Sequence, residues 1–193
     1  GYTEHVPDSL THVFHTANGR EVRDGGGIKP DVEVRPDSLP NIAFYLASSG
    51  RDSTEVMWNW ELQYLKKHPI IGPAKTFVIS DADFEDFKQA VLKSGFKYDR
   101  ESKKYLENLV KLAKFEGYYD DAKGEFDALE KKLNHNLAKD LDYNMQTLKK
   151  VLTSDLVSAY YYQKGSLENS LQFDKQWKKA VEILKNPAEY KKL

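Results

Sequence analysis

The chain has 193 residues with 29 basic and 30 acidic side chains, so it carries no excess of positive charge with which to hold a nucleic acid. Hydrophobic residues at 40% beside charged residues at 31% describe a folded domain with a heavily solvated surface, not a disordered chain. The absence of cysteine removes disulfides, thiol catalysis and thiolate metal sites, and no apolar run approaches the ~20 residues that span a bilayer.

Gly1-Tyr2-Thr3-Glu4-His5 has neither the basic start nor the apolar stretch of a signal peptide. We read Gly1 as the cut end of a longer polypeptide, with any targeting signal upstream. Residues 10–34 read as extended: Val13, Thr16, Val22, Val32 and Val34 are β-branched, and Asn18-Gly19 is a tight-turn signal for a hairpin. Val32-Glu33-Val34-Arg35 alternates as a short strand with one buried face would, and Pro36 stops it.

After Pro40 the pattern turns helical, with Ile42, Phe44, Tyr45 and Leu46 following and Gly50 as a C-terminal cap. A second helix is expected after Asp52 or Ser53, with Val56, Trp60 and Tyr64 on one face and His68-Pro69 at its end. Ser80-Asp81-Ala82-Asp83 reads as a capped helix start, Phe84, Phe87 and Val91 as its apolar face, and Ser94-Gly95 as its close. Residues 101–116 form the next helix, with Tyr105, Leu109, Leu112 and Phe115 spaced three or four apart and Gly117 as breaker. From Ala122 the apolar spacing runs on through Leu141 to Ala159, so residues 122–163 make one long helix or two joined near Asp140. Gly165 is expected to separate this run from a last helix through Leu171, Trp177, Val181 and Leu184. Asn186-Pro187 marks its end and Ala188–Leu193 a frayed tail.

No reactive constellation stands unaided in these residues. His12 and His15 fall on opposite faces of a strand, His68 ends a helix, and His135 has Lys139, not a second His, one turn on. Asp81 with Asp83 reads as helix-start charge, and the pair Asp120-Asp121 lacks the spacing of a calcium loop. Gly25-Gly26-Gly27 lacks a phosphate-loop pattern. Trp58, Trp60 and Tyr160-Tyr161-Tyr162 are the largest aromatic groups. Successive helical side chains turn by about 100°, so at least one of the three tyrosines must lie at an edge where a partner could dock.

Three segments nevertheless resemble a known family. They are His5-Val6-Pro7-Asp8-Ser9-Leu10, Phe14-His15-Thr16-Ala17-Asn18-Gly19-Arg20-Glu21-Val22 and Asp24-Gly25-Gly26-Gly27-Ile28-Lys29-Pro30-Asp31-Val32. Together they are similar to the closing strands of the C-terminal processing (tail-specific) serine peptidases, in their Bacteroides-type branch. The helical remainder, with Phe77–Asp83 and Tyr160–Gln163, is similar to the tail this branch carries after its protease core. The resemblance implies serine endopeptidase activity through a Ser/Lys dyad, a PDZ domain that captures substrate C-termini, and a periplasmic or cell-envelope location. In such a dyad a Lys kept neutral by its surroundings takes the proton from Ser, and backbone N–H groups hold the oxyanion. The family's G-K-G setting does not occur here, and nothing of that kind follows Ser48-Ser49-Gly50. No catalytic, cofactor-binding or metal residue is therefore carried over onto this chain.

The expectation is a mainly α protein, with residues 1–36 as terminal strands of the peptidase core and residues 37–193 as a helical C-terminal domain. Its role would be that of a non-catalytic scaffold for a peptidase that cleaves proteins near their C-termini. Protein or peptide substrates would be met through upstream domains, no cofactor is implied, and a strand edge left open would favour self-association. The alternatives are a stand-alone helical interaction module, or a degenerate homologue whose upstream catalytic residues are lost.

Overall fold

The structure is a computed structural model that describes residues 6–25, 30–48, 54–133 and 136–191. It is mainly helical, with nine α-helices among the described residues and one two-stranded sheet near the N-terminus. The chain divides into two compact units, Asp37–Lys178 and a second made of Gly1–Pro36 with Lys179–Leu193.

In the second unit, Asn18-Gly19 makes the turn that its composition predicts. Gly19 takes φ 79, a backbone that glycine adopts without cost, and its N–H donates to the Thr16 carbonyl. Strands β1 (Val13–His15) and β2 (Glu21–Arg23) pair antiparallel with Phe14 opposite Val22. His12 flanks the ladder: its backbone N–H and its ring Nδ1 both reach the Asp24 carboxylate, at 2.5 and 3.0 Å. The backbone donor and the ring together hold the Asp24 carboxyl below its usual pKa. Val32 and Val34 are half-buried and alternate with exposed Glu33 and Arg35, as the pattern predicts, but residues 32–35 form no strand. Side-chain alternation sets which faces are apolar, whereas a strand also needs a regular backbone ladder.

The larger unit begins with α1 (Asn41–Ala47), which buries Ile42, Ala43 and Leu46 and ends at Ser48; Gly50, the expected cap, lies outside the described residues. Helix α2 (Val56–Lys67) starts a turn later than the sequence suggests, with Glu55 at φ 47 as its N-cap, while Asp52 and Ser53 lie outside the described residues. Its Val56–Trp60–Tyr64 face is buried as expected, and His68 closes it before Pro69. Helix α3 (Asp81–Ser94) has a full capping box: the Ser80 hydroxyl accepts the Asp83 N–H, and the Asp83 carboxylate accepts the Ser80 N–H. Gly95 at φ 78 terminates it.

Helix α4 (Glu101–Glu116) has the predicted bounds and ends on Gly117 at φ 81. It packs on α5 (Lys123–Leu133), and the faces are not those the spacing suggests. Leu106 and Ala113 are buried, while Tyr105, Leu109, Leu112 and Phe115 face outward. The run over residues 122–163 is neither one helix nor two: it divides among α5, α6 (Leu137–Tyr143) and α7 (Met145–Ser170). Asn136 caps α6 by accepting the Ala138 N–H at 2.9 Å. Asn144 both ends α6 and precedes α7, donating its side-chain amide to the Asp140 carbonyl at 2.8 Å. Apolar periodicity continues across both breaks, although α5 buries none of its residues and packs on α4 while α6 and α7 bury Leu141, Leu148, Leu152 and Leu156, so the punctuation lies in the asparagines.

Gly165 does not break a helix, as its type suggests; it lies buried inside α7. A side chain there would meet Cβ of Ala74 at 3.3 Å and collide with Cβ of Tyr161. After α8 (Lys175–Leu184), Asn186-Pro187 opens one further helical turn, α9 (Pro187–Tyr190), where the sequence suggests a frayed tail. Asn186 caps that turn and Pro187 supplies its first residue. The core of the larger unit is built by α1, α2, α3, α6 and α7 around Phe84, Phe87, Leu141, Leu148 and Leu152, all 2% exposed or less.

Candidate functional site

The histidines and acids singled out from sequence do not converge. Asp83 is spent on the α3 cap, and Asp81 pairs with Lys149 of α7 at 2.6 Å. His135 and Gly26-Gly27 lie outside the described residues. Among the described residues no group of three or more His, Cys, Asp or Glu could hold a metal ion. The hydroxyls of Ser80, Ser94 and Ser170 go to Asp83 and to the Val91 and Leu167 carbonyls.

Polar chemistry concentrates instead between α7 and the loop from His68 to Ile79. A loop lying against a helix must satisfy its carbonyls without a ladder. Here α7 supplies the donors from its side chains. The Tyr160 hydroxyl donates to the His68 carbonyl, and the Tyr161 hydroxyl lies 3.0 and 2.9 Å from those of Ile71 and Gly72. Buried Asn169 donates to Ala74 and Phe77 at 2.6 and 2.9 Å, and Gln172, just past the helix, reaches Phe77 at 3.2 Å. In the other direction, the Ile79 N–H donates to buried Thr153 at 3.2 Å. The tyrosine triplet is thus resolved: two hydroxyls fasten the loop and the third ring, Tyr162, is 78% exposed. Tyr162 also has φ 56 and ψ −163, a backbone region that is close to glycine-only. The strain falls where α7 must bend to present Tyr160 and Tyr161 while Gly165 admits the Tyr161 ring.

The same end of α2 carries a cavity of about 160 Å³ lined by Trp60, Tyr64, Lys67, His68, Asp83 and Asp86. Trp60 Nε1 donates to Asp86 at 2.9 Å, and the His68 ring stacks on Tyr64 with centroids 4.1 Å apart. Burial pushes the Tyr64 phenol up to about 12. Ligand pockets run to about 300–1,000 Å³, so this cleft is too small for a peptide substrate. A second, more open concavity of about 350 Å³ lies between α4 and α5, where Arg100, Lys103 and Lys131 alternate with Asp127 and Glu130. Opposite charges at that density neutralise one another and select no ligand of one sign.

One buried titratable group stands apart. Glu61 of α2 is 7% exposed and faces Asp155 of α7. Burial, then the neighbouring negative charge, pushes the Glu61 carboxyl up to about 8. Asp155 is raised too, also by loss of water, but its residue still reaches solvent. The neutral acid therefore resides on Glu61, whose O–H donates to the Asp155 carboxylate, while Glu61 Oε1 is buried without a protein partner. Sequence offered no sign of this pair, because a Glu within an apolar helical face reads as an edge residue.

What these residues build is a helical body held together by polar stitching, and among the described residues no nucleophile and base are brought together at its clefts. A family model described as "Probable PDZ-protease, C-terminal helical domain" matches residues 44–184. The chain belongs to this family of PDZ-protease helical domains. The match runs from within α1 to the end of α8, so the tyrosine clamp, the carboxyl pair and α4 are all inside the family domain. It leaves out the β1–β2 hairpin, where the sequence resemblance to peptidase strands is densest, so the two lines of argument rest on different stretches. No curated protein and no solved structure matches the chain. The family places the domain in a protease context and gives it an accessory character.

Proposed function

We propose that this PDZ-protease helical domain is the non-catalytic scaffold of a serine endopeptidase that cleaves proteins near their C-termini. In this reading the Ser/Lys dyad and the PDZ domain lie elsewhere in the full polypeptide, which works in the periplasm or cell envelope. Residues 1–36 complete the peptidase sheet, and residues 37–193 form the helical brace. The observation that carries the reading is the family match over residues 44–184 on a body whose polar groups are consumed in holding helices and loop together. Such a body is suited to rigid positioning, and among the described residues it offers no activated nucleophile of its own.

The test is a peptidase assay on an unstructured protein with a free C-terminus. The 193-residue chain alone is expected to give no turnover. A longer polypeptide that adds the upstream Ser and Lys is expected to cleave, and to lose that cleavage when either is replaced by Ala. Turnover by the chain alone would overturn the reading. A second reading, a helical interaction module, is favoured by one observation: the apolar face that α4 turns outward.

A further inference from the structure

Helix α4 is amphipathic in an unusual sense, because it has two apolar faces. Leu106 and Ala113 turn toward α5 and are buried. Tyr105, Leu109, Leu112 and Phe115 lie on an adjoining stripe and are 71%, 50%, 50% and 89% exposed. Their spacing of four, three and three residues keeps them on one side of the helix over about 15 Å of its length. Tyr118, just beyond Gly117 and 67% exposed, extends the ridge. Apolar side chains exposed singly need no explanation, but a contiguous row of five large ones does.

We infer that this stripe is the contact between two copies of the chain, packed α4 against α4 in antiparallel fashion about a twofold axis. Area is the first argument. An aromatic side chain buries about 150–250 Å². With the exposures above, the five residues offer about 600 Å² per copy, or about 1,200 Å² across a symmetric pair, the lower end of what a specific interface needs. Geometry is the second. An antiparallel pairing centred between Leu109 and Leu112 sets each of these leucines over the other in the opposing helix. It also brings Tyr105 over Phe115 and places Lys104 beside Glu116, so the stripe is self-complementary in shape and charge, as a twofold contact requires. Third, the net charge of -1 puts no long-range repulsion between copies. The inference stands independently of the protease reading.

Sedimentation equilibrium of the whole 193-residue chain tests it. A monomer–dimer equilibrium is expected, with a dissociation constant in the micromolar range. Leu109→Glu with Leu112→Glu should weaken it at least about tenfold, while Trp58→Glu, on exposed α2 surface, should leave it unchanged. Far-UV circular dichroism and the melting temperature establish that the variants fold. The chain has no cysteine, so Asn108→Cys gives a single thiol at the edge of the stripe. A short bis-maleimide should join two such chains, and a thiol placed by Trp58→Cys should not be joined. This arm decides the matter even where the double variant does not fold. A chain that stays monomeric at about 200 µM, or a dimer indifferent to the leucine substitutions, overturns the proposal. So does a stripe that is covered only in a longer polypeptide, by another domain of that same molecule.

Discussion

Glu61 occupies a position on α2 where the neighbouring turns bury Met57, Trp60 and Tyr64, and an apolar residue would pack there at less cost. The helix accepts the acid by keeping it neutral. The folded state holds that proton up to about pH 8, whereas an unfolded Glu releases it near its ordinary value of 4.5. The pair's contribution to stability is therefore fully present below about pH 4.5, and it is lost as pH rises toward 8, at about 1.4 kcal/mol per unit over that window. Glu61→Gln keeps the shape and a donor to Asp155 while removing the titration. Denaturant unfolding at pH 4.5 should find the variant close to the parent. At pH 8.5 it should be about 2–3 kcal/mol more stable, a figure that allows for water reaching Asp155. Equal gains at both values would show that the carboxyl is not buried neutral. Asn169 makes the opposite case, a buried amide with both donors committed to the Ala74 and Phe77 carbonyls. Asn169→Ala takes the donor from the buried Ala74 carbonyl and leaves that of Phe77 to Gln172 alone, and should cost about 1–3 kcal/mol in the same measurement.

Helix α7 shows why an element resists reading from sequence alone. Its apolar face from Leu148 to Leu156 was legible from spacing, and so was the outward ring of the tyrosine triplet. Gly165 was not, because its role is to let the loop at Ala74 and the Tyr161 ring approach, a contact between distant parts of the chain. The bounds of α3 and α4 were legible because a capping box, Gly95 and Gly117 punctuate them locally. The direction of the α4 stripe was not, since periodicity shows that a face exists and not which neighbour covers it. The hydroxyl clamp on the loop was hidden for the same reason: donor and acceptor types are written in the sequence, but their pairing is tertiary. The kink itself makes a prediction. Tyr162 holds a backbone that suits glycine, and its ring is largely in water, so replacing it removes strain only where the new residue tolerates that φ and ψ. Tyr162→Gly should be more stable than Tyr162→Ala by about 1 kcal/mol or more, read as a difference in denaturant midpoint. This reverses the order expected inside an unstrained helix.

At the scale of the whole molecule, the core cluster runs from Ile42 to Leu156 and falls entirely within the unit Asp37–Lys178. Leu141, Leu148, Leu152 and Leu156 from α6 and α7 close the same core that Phe84, Phe87 and Val91 open from α3. Polar cross-links follow that boundary: Asp37 pairs with Lys150 at 3.5 Å and also with Lys175, both inside the unit. Cooperative folding belongs to the segment that contains a complete core, not to the chain as a whole. Residues 37–178 produced alone should therefore show helical circular dichroism and one cooperative thermal transition within a few degrees of the full chain. Residues 37–133, which retain α1 to α5 but lose α6 and α7, should show no such transition. They leave Phe84 and Phe87 facing water, at a cost of about 1.5–3 kcal/mol for each large apolar side chain uncovered. If residues 37–178 bind a hydrophobic dye and melt without a transition, some contact from β1–β2, α9 or the last turns of α8 must be completing the core.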